Sequence, residues 1–224
     1  RKWLVMIELT VAEIANAISG QIKGDESVLV TGSVETDSRL VKTGSLFVAK
    51  PGEETDGHLF APSAKQAGAV ALIVERWLDE VDLPQILVQD SVLALGELAA
   101  FVLAAIRLKT NLQVIGITGS NGKTTTKNML RAILSQVGET IAPIESYNNE
   151  VGAPISILKA DFATKFLVVE LGAGGACDLG PLAQHSVGNT ARQPGRQRQF
   201  LRIRDAVDEH GPRAHQPRQR HRRV

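Results

Sequence analysis

The chain has 224 residues, one cysteine, 43% hydrophobic residues and a formal net charge of +1. One cysteine excludes an internal disulfide scaffold and favours a cytoplasmic setting. No unbroken apolar run approaches the ~20 residues of a membrane helix, so no membrane insertion is expected. The balanced charge hides an asymmetry: residues 1–173 carry 15 Lys and Arg against 20 acids, whereas residues 174–224 carry 10 Arg, no Lys and four acids.

Arg1-Lys2-Trp3-Leu4-Val5-Met6 lacks the apolar core of a signal peptide, and Met6 reads as the natural start. Thr10-x-x-Glu13 is a capping box opening a short helix, with Ile14, Ala15 and Ile18 on one face and Gly20 as its stop. β-rich runs follow at Val28–Val34, Leu46–Lys50 and Ala69–Val74. A helix over Leu59–Ala67, ended by Gly68, lies between the last two. Ile86–Gln89 reads as a strand. Asp90 or Ser91 then caps a long helix to about Leu108, whose Leu93, Leu95, Leu98, Phe101, Val102, Ala105 and Ile106 supply a broad apolar face. Residues 1–109 are therefore expected to form a small α/β domain.

A second unit begins near residue 110. Gln113–Thr118 is mostly apolar, as in a buried parallel strand. A glycine-bearing turn, a helix from Thr124 to about Val137, a strand near Thr140–Ala142, a helix after Pro154 and the strand Phe166–Leu171 complete a strand–helix–strand rhythm. That rhythm implies a parallel sheet. The expected class is α/β, with residues 110–173 as the start of an incomplete phosphate-loop domain. Its sheet should show an open edge and an exposed apolar face after Leu171, a hazard for aggregation.

The segment 174–224 holds only eight Leu, Ile, Val and Phe and shows no apolar period. It cannot bury enough surface to offset ordering entropy and reads as a disordered, Arg-rich tail. Arginine neutralises phosphates, which raises a nucleic-acid arm as one reading. The dilution by Gln, Pro and His favours the other, an out-of-frame translation beginning between Gly172 and Gly188. No nucleic-acid partner is expected on that reading.

Three motifs carry chemistry. In Thr118-Gly-Ser-Asn-Gly-Lys-Thr-Thr-Thr126, Gly119 and Gly122 let the backbone approach an anion. The helix N-terminus then faces a polyphosphate. Lys123 can reach β/γ-phosphates and the Thr124 hydroxyl suits Mg²⁺. The motif is shorter than G-x-x-x-x-G-K-[ST], since Ile117 stands where that pattern has its first glycine. Glu170 ends the apolar strand Leu167-Val-Val-Glu-Leu171, where a buried carboxylate needs a cation or a metal; a structural ion pair and an Mg²⁺ ligand are both open. In Ser146-Tyr-Asn-Asn-Glu150 the amides of Asn148 and Asn149 either cap the next helix or bind ligand.

These residues resemble the Mur ligase family, over about residues 6–173. The loop at 118–126 is similar to that family's ATP loop. Asn148-Asn149-Glu150-Val151-Gly152-Ala153-Pro154 is similar to the member that joins D-alanyl-D-alanine to UDP-N-acetylmuramoyl-tripeptide. Thr36-Asp-Ser-Arg39, Gly44-Ser-Leu-Phe-Val-Ala49, Gly52 and Asp56-Gly-His58 resemble its UDP-substrate domain.

The resemblance implies ATP and Mg²⁺ as cofactors and a ligase acting as a monomer. It implies that Lys123 is the catalytic lysine on the transferring phosphate. Thr118, Gly119, Ser120, Asn121, Gly122, Lys123, Thr124 and Thr125 would bind ATP, and Thr124 and Glu170 the metal. Ser38, Arg39, Asn148 and Asn149 would lie at the substrate site. Asp37 is expected to organise a turn and His58 to be a loop residue. The family's later metal-binding histidine has no recognisable counterpart, so His185, His210, His215 and His221 take no role.

Overall fold

In a computed structural model, residues 7–52, 55–117, 121–143 and 151–170 are described. Met6, the loop residues Thr118, Gly119 and Ser120, the pair Asn148 and Asn149, and the whole segment 174–224 lie outside the described residues.

Local signals set the first elements. A two-residue strand β1 (Leu9–Thr10) runs into α1 (Val11–Ala17). Thr10 Oγ1 accepts the N–H of Glu13, and the Glu13 carboxylate accepts the N–H of Thr10 at 2.8 Å, so the capping box is complete. The helix stop differs from expectation. Ser19, not Gly20, takes the left-handed backbone, at φ +52°. Gly20 is needed for space instead, because a Cβ there would collide with Ile86.

The first sheet holds β2 (Gln21–Lys23), β4 (Val34–Glu35), β5 (Ser45–Val48), β6 (Ala69–Val74) and β7 (Gln85–Leu87), in the order β2-β7-β6-β5-β4. Strands β4 to β7 pair in parallel and β2 antiparallel to β7. The run at Val28–Val34 splits: β3 (Leu29–Val30) pairs with β1, and only Val34 joins the main sheet. All of β5 is buried, as a strand covered on both faces requires. Between β5 and β6, a 3-10 turn at Gly57–Phe60 precedes α2 (Ala61–Ala67), and Gly68 closes it at φ +110°.

The long helix α3 (Ser91–Lys109) is capped by Asp90, whose carboxylate accepts the N–H groups of Val92 and Leu93. By length and composition α3 is apolar enough to cross a membrane, a property that a search for unbroken runs misses because Glu97 and Arg107 interrupt it. Half of it is buried within the fold, against α1 and against α5 (Gly152–Ile157). Its Leu98, Val102 and Ile106 share one cluster with Ile155, Ile157, Leu167 and Val169, so the two α/β parts have a continuous core.

The second sheet has β8 (Gln113–Ile117), β9 (Thr140–Ile141) and β10 (Phe166–Glu170) in the order β8-β10-β9, all parallel. Helix α4 (Lys123–Leu134) joins β8 to β9. The last strand in sequence is therefore the middle strand in space. The open edge expected beyond it falls on β8 and β9, each of which pairs on one side only among the described residues. Met129 and Ile133 on α4, and Val137 in the turn after it, stand about 60% exposed, while the apolar face expected after Leu171 lies outside the described residues.

Candidate active site

The C-terminal ends of parallel strands are where α/β folds place ligands, and the sequence motifs gather at two such ends. One is the end of β8. Gly122 caps α4 at φ +74° with open space around its Cβ position, so backbone conformation rather than crowding demands glycine there. Gly122 offers no side chain to cap the helix, and the first turn of α4 has no acid. The leading amides of α4 have no intrahelical acceptor, and the macrodipole adds partial positive charge. Lys123 opens the helix and Thr124 follows, both half-buried; Asn121 and Thr125 are exposed.

Glu170 is brought to the same end. It pairs in register with Ile117, the last residue of β8 before the loop. Its side chain is 1% exposed, and Oε1 lies 2.8 Å from Nζ of Lys127, itself 0% exposed. The contact is an ion pair rather than an aligned hydrogen bond. Oε2 has no hydrogen-bond partner among the described residues. Sequence reasoning asked for a partner to Glu170 without naming one. Lys127 carried a signal, standing one helical turn after Lys123 on α4, where side chains share a face.

An Mg²⁺ ion fits this donor set. Mg²⁺ in nucleotide sites takes one or two protein oxygens and fills its shell with phosphate oxygens and water. A buried carboxylate with an orphaned oxygen and a threonine hydroxyl at the helix start meet that need. Among the described residues no group of three acids, His or Cys could hold a metal unaided.

The second end belongs to β4 and its neighbours. Asp37 accepts the backbone N–H of Arg39 at 3.0 Å and its guanidinium at 2.6 and 2.9 Å, and these bonds hold its carboxyl below the usual range. Asp37 thus organises the turn that presents Ser38 and the exposed Arg39. Burial pushes the Glu35 carboxyl up, opposed by the Ser33 hydroxyl and by Lys159. Beside β5 and β6, Asp56 accepts the His58 N–H and pairs with Arg76 at 2.7 Å, and its carboxyl falls to about 2. His58 is fully buried, so it is a fixture of the fold rather than a loop residue. Ser38 and Arg39 lie in the turn after β4 of the first sheet, whereas Lys123 opens α4 and Glu170 ends β10 of the second.

Comparison with known proteins extends this geometry. The family model "Mur ligase family, catalytic domain" matches residues 31–102, and "Mur ligase middle domain" matches residues 117–187. The second match runs past Ala173. The UDP-N-acetylmuramoyl-tripeptide–D-alanyl-D-alanine ligase of Escherichia coli (strain K12) is 43% identical over 168 residues, covering 75% of this chain and 36% of that protein. The enzyme of that name from Mycobacterium tuberculosis (strain H37Rv) is 39% identical over 211 residues, covering 82% and 41%. Among solved structures, MurF from Acinetobacter baumannii superposes with a TM-score of 0.66 at 34% identity, covering 75% of this chain and 36% of that one. MurF from Thermotoga maritima in complex with ADP superposes with a TM-score of 0.56 at 34% identity, covering 68% and 34%. The chain spans little more than a third of the length of these relatives.

Proposed function

Since the chain belongs to the Mur ligase family, we propose that it carries the UDP-substrate and nucleotide-loop portions of a cytoplasmic, ATP-dependent amide ligase. The acceptor is UDP-N-acetylmuramoyl-tripeptide and the incoming amine is D-alanyl-D-alanine. The observation that carries this reading is the juxtaposition at the end of β8: an uncapped helix start with Lys123 and Thr124, and the buried Glu170 in register with the strand that leads there.

In the proposed reaction the tripeptide carboxylate attacks the γ-phosphorus of ATP. The bond to ADP breaks and an acyl phosphate forms. The amine of D-alanyl-D-alanine then attacks the acyl carbon, phosphate leaves, and the amine gives up a proton as the amide forms. Protein groups in such transfers mainly position reactants and neutralise charge. Lys123 holds the transferring phosphate through its ammonium. The loop amides and the start of α4 bind the remaining phosphate charge. Thr124 and Glu170 hold Mg²⁺, which when bound offsets phosphate charge. Arg39, fixed by Asp37, and Ser38 bind the UDP-substrate, with Asn148 and Asn149 as further contacts.

Calorimetric titration with UDP-N-acetylmuramoyl-tripeptide and with ATP, followed by an assay of phosphate release, tests the reading. Binding of both with amide formation supports it. Binding of the UDP-substrate without any affinity for ATP would instead favour a non-catalytic UDP-substrate module.

A further inference from the structure

The ion pair of Lys127 and Glu170 is wholly buried and uses one carboxylate oxygen. Nζ of Lys127 lies beside Oε1 as an ion-pair partner at 2.8 Å, Oε2 has no such cation, and neither enclosed oxygen has a hydrogen-bond partner among the described residues. A pair retained only for stability has every reason to satisfy both oxygens, because an orphaned buried acceptor is costly. The two residues also bracket the nucleotide loop: Lys127 lies one turn into α4, and Glu170 lies beside the residue that enters the loop.

We propose that Lys127 is a positioning residue for Glu170, neutralising the buried carboxylate and anchoring it through Oε1 so that Oε2 is presented to the divalent cation that accompanies the nucleotide. The inference rests on the nucleotide reading above. Lysine suits this task and arginine does not. An ammonium is a compact donor that can engage one oxygen, whereas a guanidinium fork matches both oxygens of a carboxylate. Without the ammonium, a carboxylate enclosed at this depth loses the counter-charge that holds its orientation before the cation arrives.

The test uses the 224-residue chain, Mn²⁺ as probe and AMP-PNP as a non-hydrolysable nucleotide. Electron paramagnetic resonance reads Mn²⁺ bound in the presence of AMP-PNP, and AMP-PNP affinity in EDTA is the control. Lys127→Arg keeps the charge and tests the single-oxygen anchor; Lys127→Met removes the anchor. We expect each variant that melts cooperatively to bind AMP-PNP in EDTA within threefold of the parent, yet to bind Mn²⁺ with the nucleotide at least tenfold more weakly. A purely structural pair leaves Lys127→Arg like the parent, so a loss of less than tenfold in that variant overturns the proposal. Failure of both variants to melt cooperatively also overturns it, by making the pair a requirement of the fold. A parent chain that binds no AMP-PNP sinks the nucleotide reading itself, a result distinct from either.

Discussion

The His58 ring accepts the backbone N–H of Glu75 at Nε2, 2.9 Å away, and meets Asp56 Oδ1 through Nδ1 at 2.6 Å. An accepting Nε2 carries no proton, so Nδ1 donates to Asp56. One buried side chain thus ties the turn after β5 to the end of β6. Replacing His58 by alanine strands the Glu75 N–H and opens a cavity. The expected loss is about 2–4 kcal/mol, read from the urea midpoint at unchanged slope.

The depressed Asp56 carboxyl sets an acid limit. Its folded value, about 2, lies below the ordinary 3.8. Its contribution to stability is complete above the unfolded value and disappears as pH falls through the folded one. The parent should therefore lose more stability than Asp56→Asn between pH 4 and pH 2, in paired urea titrations. Parallel curves for the two proteins would contradict the assignment.

Lys123→Ala should weaken ATP binding at least tenfold, measured by calorimetry. Lys123 is half-buried at the start of α4 and not part of the core clusters, so the melting temperature should move by no more than ~2 °C. A large drop in melting temperature would instead mark the lysine as structural.

Gly122→Ala should cost about 1 kcal/mol from its left-handed backbone, with no steric addition from the described residues, none of which lies within 4 Å of the new methyl. Thermal unfolding gives the stability change, and the accompanying loss of ATP affinity reports the loop.

The shared core makes a prediction about cooperativity. Ile106 on α3 is fully buried in the cluster that also includes Ile157 and Leu167 from the second sheet and its helix. Ile106→Ala should cost about 2–5 kcal/mol. Fluorescence and far-ultraviolet circular dichroism should still report one transition, since the larger core cluster is shared by both α/β parts. Two separated transitions would show the parts to be independent.

Signals confined to a few residues were legible in the sequence. The Thr10–Glu13 box, the Asp90 cap, the Gly68 stop and the strand–turn–helix around Gly122 depend on local geometry and local hydrogen bonds. Burial was less legible: the run at Gln113–Thr118, expected as a buried parallel strand, does pair in parallel, yet within β8 only Ile117 is buried. Boundaries slipped where a strand had to choose partners. The Val28–Val34 run divided because β3 pairs with β1 while Val34 pairs with Leu46. The chain alone also determined that Glu170 needed a positive partner, since an apolar strand cannot bury a lone carboxylate. Which cation it met was decided by the crossover that puts β10 between β8 and β9 and lays α4 over them. The same packing buried His58 and fused two α/β parts into one core. Distance along the chain does not encode such meetings; they arise only when strand order and register bring remote side chains to the same depth.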